Sequence, residues 1–249
     1  MSINESLAST ETINGFRYYN IDKYKKYPSV TTIIGFGSDN SWLEEWQDRI
    51  GVENAKKITE FSANRGSVMH QLCEYFLESV KLTKRERLID AQERIINFIK
   101  TEGFTEDEEN VGRKLFFNFY NNGFFDRIKR IVKIEATLYS NKMGGYAGRT
   151  DVIFEDFDDN LIILDFKSSK KPKDENQILN YYRQIAAYFI AYWEMYNVQP
   201  NGGEIWISNE SDSYPQCINL TRSDIYVHAK EFLKLVKDFH IHNKIEPNI

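Results

Sequence analysis

Four adjacent apolar residues, Leu-Ile-Ile-Leu at 161–164, run directly into Asp165-Phe166-Lys167, and this junction constrains the chain more than any other segment. A short, unbroken, β-branched-rich run reads as a strand covered on both faces, which requires layers above and below it. Side chains alternate along a strand, so Asp165 and Lys167 project from the same face at its end. Charges at the end of a buried strand are costly unless they are paired or used.

The surroundings extend this strand into a sheet. Segments 131–140 (IVKIEATLYS) and 146–156 (YAGRTDVIFED) read as the two strands before it, with turns at NKMGG and DFDDN. After it, 174–197 reads as a helix that stops near Pro200, followed by two short strands, EIWISN and PQCINL. Thr221 or Ser223 is placed to cap a last helix. The first half is helical instead. Trp42, Trp46 and Ile50 fall four apart, and Ile58, Phe61, Val68, Leu72, Phe76 and Val80 continue an apolar face. Two more helices are expected, one stopped by Gly103 and one over about 106–125. Residues 1–14 are polar and expected to fray, and 15–32 reads as short extended pieces joined by turns. The expectation is an α/β protein with a central mixed sheet flanked by helices and an N-terminal helical lobe. Residues 1–104 form the lobe and 105–249 the core, packed as one body.

Composition excludes several classes. The net charge of −5 argues against a purely charge-driven nucleic-acid binder, although bound metal ions restore local attraction in a carboxylate site. Cys73 and Cys217 are the only cysteines, so neither a zinc ribbon nor a four-cysteine iron–sulfur cluster can be built. The start lacks a signal-peptide pattern and no apolar run approaches ~18 residues. A cytoplasmic protein with free thiols and no membrane association is expected. The 15 Tyr and 17 Phe suit either base stacking or a thick aromatic core.

The candidate chemistry sits in the middle. Hairpin geometry brings Asp151, on the preceding strand, beside Asp165. Two carboxylates meeting there repel unless a cation lies between them, and Mg²⁺ suits such oxygen donors. Lys167 would orient or activate an attacking water, or stabilise charge developing on phosphate. The same spacing also serves as a structural Asp–Lys pair. Gln184 and Tyr188 lie four apart on one helix face, as do His70 and Glu74, which follow Arg65. A neutral imidazole is a good divalent-metal ligand.

Gly148-Arg149-Thr150-Asp151, then Asp165-Phe166-Lys167, then Gln184 through Tyr188 resemble the G-x-x-D, D/E-x-K and Q-x-x-x-Y signature of the PD-(D/E)XK nuclease superfamily, RecB-like branch. His70, Glu135, the segment 28–33 and Trp46 resemble features of that branch, notably of the mitochondrial genome maintenance exonuclease and related phage exonucleases. The resemblance implies a Mg²⁺- or Mn²⁺-dependent DNA exonuclease that prefers single strands with a free end, acting in replication, repair, recombination or phage DNA metabolism. It implies His70, Asp151, Asp165 and the Phe166 carbonyl as metal ligands, Lys167 as the catalytic lysine and Glu135 as support for the metal site. Gln184 and Tyr188 would position the DNA strand, while Arg65, Ser67, Ser29, Thr31 and Thr32 would contact phosphates. Lys170, Lys171 and Lys173 are further candidates for phosphate contact, and Phe116, Phe117, Phe119 and Tyr120 for stacking or core. One departure is Thr150, which stands where the nominal proline would precede Asp151. Alternatives are a structure-specific or restriction-type endonuclease on the same core, and a catalytically inactive DNA-binding module. Nothing in the sequence points to a protein partner.

Overall fold

The structure is a computed structural model that describes residues 9–38 and 41–243. Its centre is a five-stranded mixed sheet of β4 (Arg130–Ser140), β5 (Tyr146–Glu155), β6 (Leu161–Ser169), β7 (Gly202–Asn209) and β8 (Gln216–Thr221), in that spatial order. Neighbours are antiparallel except β6 and β7, which are parallel. That parallel pair requires a crossover, supplied by α6 (Glu175–Tyr196). Asp174 and Gln177 close a capping box at the start of α6, and Asn197 ends it in the left-handed conformation.

Helices cover both faces of the sheet, as a strand with an unbroken apolar run demands. On one face α1 (Val30–Phe36), α6 and α7 (Arg222–His242) pack on Ile153, Ile163, Ile205 and Ile207. Thr221 caps α7 in a second capping box, with Asp224. On the other face α3 (Val52–Glu78), α4 (Lys84–Glu102) and α5 (Glu106–Asn121) pack on Val152, Phe154, Leu164, Phe166 and Trp206. The expected division near residue 104 falls between α4 and α5, which share this core with α3. Gly112 of α5 lies so close to α3 that a Cβ there would come 2.5 Å from that of Val68. Phe116 and Phe119 are fully buried, against Phe76, Phe125 and Trp206, so the aromatic density of α5 builds core.

Two expectations change. The segment expected to fray carries β1 (Thr10–Ile13), paired antiparallel with β2 (Phe16–Asn20), which in turn pairs with β3 (Lys26–Pro28). The turn is Asn14-Gly15, both at positive φ, a combination that favours a tight hairpin. Residues 1–8 of the segment lie outside the described residues. The apolar periodicity of α3 also overreaches, because Ile58 and Val80 are half exposed and the helix ends at Glu78. Trp42 and Trp46 sit on α2 (Ser41–Ile50), a helix with no fully buried residue. Among the described residues, no helix is long and apolar enough to cross a membrane.

Candidate active site

The site forms where β5 and β6 part. Their ladder runs from Glu155↔Leu161 to Val152↔Leu164 and stops there. Beyond that point side chains take over the backbone's hydrogen bonds. Thr150 Oγ1 donates to the Leu164 carbonyl at 3.0 Å, and Asp151 Oδ2 accepts from the Phe166 N–H at 2.5 Å. Thr150 thus holds the parting strands together, and its place in the β4 ladder opposite Ala136 suits a residue that keeps its N–H. On the other side of β5 the β4 ladder is distorted too. Between Ile134 and Ala136, Glu135 adopts φ = 49°, a strained conformation for a residue with a side chain. Asp151 therefore lies beside a fault on both sides of its strand.

Side chains from both layers converge on this fault. Asp165 and Lys167 share one face of β6 and form an ion pair. From α6, Gln184 Nε2 donates to Asp165 Oδ1 at 3.1 Å and to the Tyr188 hydroxyl at 2.9 Å. Tyr181, one turn earlier, presents its ring to Lys167 Nζ at 5.2 Å. From α3, on the opposite layer, His70 Nδ1 lies 3.4 Å from Asp151 Oδ1 and its ring packs edge-on against Phe166. Gly148 leaves room for Tyr188, since a Cβ at that position would come 2.6 Å from its ring. Of these, His70, Gly148, Asp151, Asp165, Lys167, Gln184 and Tyr188 line a cleft of about 660 Å³.

Burial, with Asp151 and Glu74 nearby, pushes the Glu135 carboxyl up to about 7. Burial and Asp151 push Asp165 up to about 6, against the pull of Lys167. Asp151 goes the other way: burial alone would raise it, but His70, Lys167 and the Phe166 N–H hold it below its ordinary value. Burial opposes the charged forms of His70 and Lys167, yet the two aspartates raise both. The aspartates and the two cations favour one another's charge, while burial opposes it and prevails at Glu135 and Asp165.

The fit to a divalent ion rests on the donor set and on one atom. Two carboxylates and an imidazole are suitable ligands for Mg²⁺ or Mn²⁺. Asp165 Oδ2 is buried and, apart from its ion pair with Lys167, makes no well-directed hydrogen bond. Among the described residues, no three His, Cys, Asp or Glu side chains are already closed into a chelate. The Lys167 ammonium and the Phe166 N–H engage the oxygens that an ion would use.

The profile of the PD-(D/E)XK nuclease superfamily matches residues 45–236. The chain belongs to that superfamily. Three solved structures resemble it at low identity. One is the protein SSO0001, with 16% identity over 78% of this chain and 89% of the other, TM-score 0.37. A second is a presumed exonuclease from Eubacterium rectale, at 11% identity over 74% and 68%, TM-score 0.47. The third is an alkaline exonuclease from Laribacter hongkongensis, at 11% over 75% and 96%, TM-score 0.32. A comparison with curated protein sequences returned no match.

Of the residues that the superfamily signature singles out, His70, Glu135, Asp151, Asp165, Lys167, Gln184 and Tyr188 all line the cleft, as do Ser29, Thr31 and Ser67. Phe166 lies between Asp165 and Lys167 with its ring in the opposite core. Others are placed elsewhere. Arg65 is buried, paired with Glu210 at 2.6 Å and bonded to the Ser169 carbonyl, so it ties α3 to the end of β6. Thr32 turns away, with its Oγ1 on Ser29 Oγ and the Arg17 N–H. Lys170 and Lys171 are exposed in the loop after β6. Two bonds between Gln216 of β8 and the Lys173 backbone tie that loop to β8, and none of the three lysines lines the cleft. Sequence reasoning missed Arg17, Gln71, Phe98 and Arg149, which line the cleft. The alternation of Arg17 with Tyr19 was a usable signal, whereas Phe98 looks like one more apolar residue of α4.

Proposed function

We propose that the protein is a Mg²⁺- or Mn²⁺-dependent DNA exonuclease that prefers single-stranded DNA with a free end. The observation that carries this reading is the meeting of Asp151, Asp165, Lys167 and His70 at the gap between β5 and β6. His70, Asp151, Asp165 and the Phe166 carbonyl would hold the ion, which supplies Lewis-acid polarisation of the phosphate and a more acidic water. In this reading the N-terminal part, residues 1–104, contributes His70 to a core formed by 105–249.

The chain's own groups have distinct tasks. Without a bound ion, Asp165 and Asp151 hold Lys167 above its ordinary value, and as an ammonium it would serve as a hydrogen-bond donor to charge developing on the phosphate. Tyr181 and Asp165 fix where that ammonium points. Gln184 orients Asp165 through one amide hydrogen and Tyr188 through its hydroxyl contact. Glu135, with its carboxyl raised to about 7, is suited to exchange a proton near neutral pH with a water in the cleft.

The size of the cleft supports a preference for a single strand. A cleft of about 660 Å³, bounded by α3 and α4 on one side and by β2 and α1 on the other, is of a size that ordinarily accepts one small molecule. That suits a strand entering by its end. A circular single-stranded DNA therefore separates this reading from an endonuclease: it should survive an incubation that degrades the same sequence once linearised. Loss of the circle at the rate of the linear form would contradict the exonuclease reading.

A further inference from the structure

Acids outnumber cations in the cleft, so the question is which groups remain free to take a polyanionic strand. Three permanently basic side chains line it among the described residues: Arg17, Arg149 and Lys167. Lys167 is committed to Asp165, and Arg149 faces Glu135 at 3.6 Å. Arg17 is exposed and, among the described residues, has no carboxylate partner. It sits on β2, two residues from Tyr19, whose buried ring lies 5.4 Å below its guanidinium. Its backbone N–H bonds Thr32 Oγ1, which fixes the strand to the start of α1. A guanidinium held this way, with its donor edge unoccupied, is matched to a phosphodiester.

The aromatic residues of the cleft sort in the same manner. Tyr19 and Tyr188 are almost fully buried, and the Tyr188 hydroxyl is engaged by Gln184. Phe98 of α4 is partly buried and packs edge-on against Phe104 at 5.6 Å. That contact stiffens the ring while leaving part of it open to the cleft. The two groups stand on elements of opposite layers, because the Arg17 N–H ties β2 to α1, which packs with α6 and α7, whereas Phe98 packs with the α3–α5 core.

We propose that Arg17 and Phe98 form a two-sided grip on the DNA strand at the cleft, Arg17 taking a backbone phosphate and Phe98 stacking on a base. The grip rests on the reading of the cleft as a DNA site, and it adds how the strand is held. Phosphate contact and base stacking carry no sequence code, so the grip is indifferent to sequence.

The test is equilibrium binding of a fluorescently labelled single-stranded oligonucleotide of about a dozen residues, read by anisotropy in chelator so that no cleavage intervenes. Phe98→Leu preserves apolar volume and should weaken binding roughly tenfold, while Phe98→Tyr should stay within about twofold of wild type. An oligonucleotide of the same length with abasic residues throughout should bind the two variants equally. Arg17→Gln should weaken binding and flatten the dependence of log affinity on log salt by about 0.7, and Arg17→Lys should keep the wild-type slope. Binding by Phe98→Tyr as weak as by Phe98→Leu, or a wild-type salt slope in a folded Arg17→Gln, would overturn the grip. So would a failure of the wild-type protein to bind the oligonucleotide. Cleavage of the same oligonucleotide in Mg²⁺ separates the two readings. If the variants behave as expected but nothing is cut, the grip stands and the nuclease reading fails. If the DNA is cut but both variants bind as wild type does, only the grip fails.

Discussion

The same two strands do opposite things along their length. Over 152–155 and 161–164, β5 and β6 pair in register and bury Val152, Phe154, Ile163 and Leu164 between the helical layers. Directly beyond it the ladder stops, and side-chain bonds from Thr150 and Asp151 bridge the gap that Asp165 and Lys167 border. The first stretch gains stability from apolar burial. In the second, carboxylates are buried close to one another, and the pKa values of Glu135 and Asp165, raised first by burial and then by Asp151, are the mark of that cost. Core and chemistry are adjacent segments of one hairpin, so mutations should separate them cleanly.

The largest separation is expected from the charged stretch. Asp165→Asn and Lys167→Ala should each lower DNA cleavage by at least about a hundredfold while changing the melting temperature by only a few degrees. A variant that cuts at the wild-type rate would remove its residue from the chemistry. The paired stretch should respond in reverse. Leu164→Ala removes a side chain with no exposure and should cost ~2–5 kcal/mol of stability, measured by denaturant unfolding, with cleavage per folded molecule retained. A cost below about 1 kcal/mol would mean that this part of the hairpin is not core.

Metal affinity sharpens the comparison. The imidazole of His70 and the carboxyls of Asp165 and Glu135 all hold protons more tightly than usual, and each must lose its proton before the donor set is anionic or neutral as a ligand requires. Mn²⁺ affinity, measured calorimetrically, should therefore rise between about pH 6 and 8, and His70→Ala should weaken it roughly tenfold. An affinity flat across that range, or unchanged in His70→Ala, would mean that these groups do not face the ion.

The smallest effect concerns stability without metal. The Glu135 carboxyl holds its proton more tightly folded, at about 7, than unfolded, near 4.5. Its favourable contribution is present below the unfolded value and is lost as pH rises through about 7, where the buried charge destabilises the fold. Glu135→Gln in chelator should accordingly melt a few degrees above wild type at pH 8, with the gap closing toward pH 5. A lower melting temperature for the variant at pH 8 would show that Glu135 is not under the strain described.

Sequence patterns disclosed the paired stretch because it is local, whereas His70, Glu135 and Asp151 meet across elements remote in the chain and were legible as one site only through the superfamily signature. Strand alternation alone puts Asp165 and Lys167 on one face, and helix spacing puts Gln184 with Tyr188. What escaped depends on contacts remote in sequence. Arg65 has the look of a phosphate ligand until Glu210, from the far end of β7, is found beside it. The lysines after β6 have the look of a DNA-binding run, yet none of them lines the cleft and Gln216 ties their loop to β8. The hairpin around Asn14-Gly15 was legible, through a turn pair that favours positive φ, and was passed over in a polar segment. The left-handed Glu135 in the middle of a strand had no sequence signal, since the surrounding fold imposes it.

The most direct measurement follows an end-labelled single-stranded oligonucleotide incubated with wild-type protein in Mg²⁺, in chelator, and in chelator titrated back with Mn²⁺. The convergence of Asp151, Asp165, Lys167 and His70 predicts cleavage in the first condition, none in the second, and recovery in the third. Cleavage in chelator at the Mg²⁺ rate, or no cleavage with either ion, would contradict it.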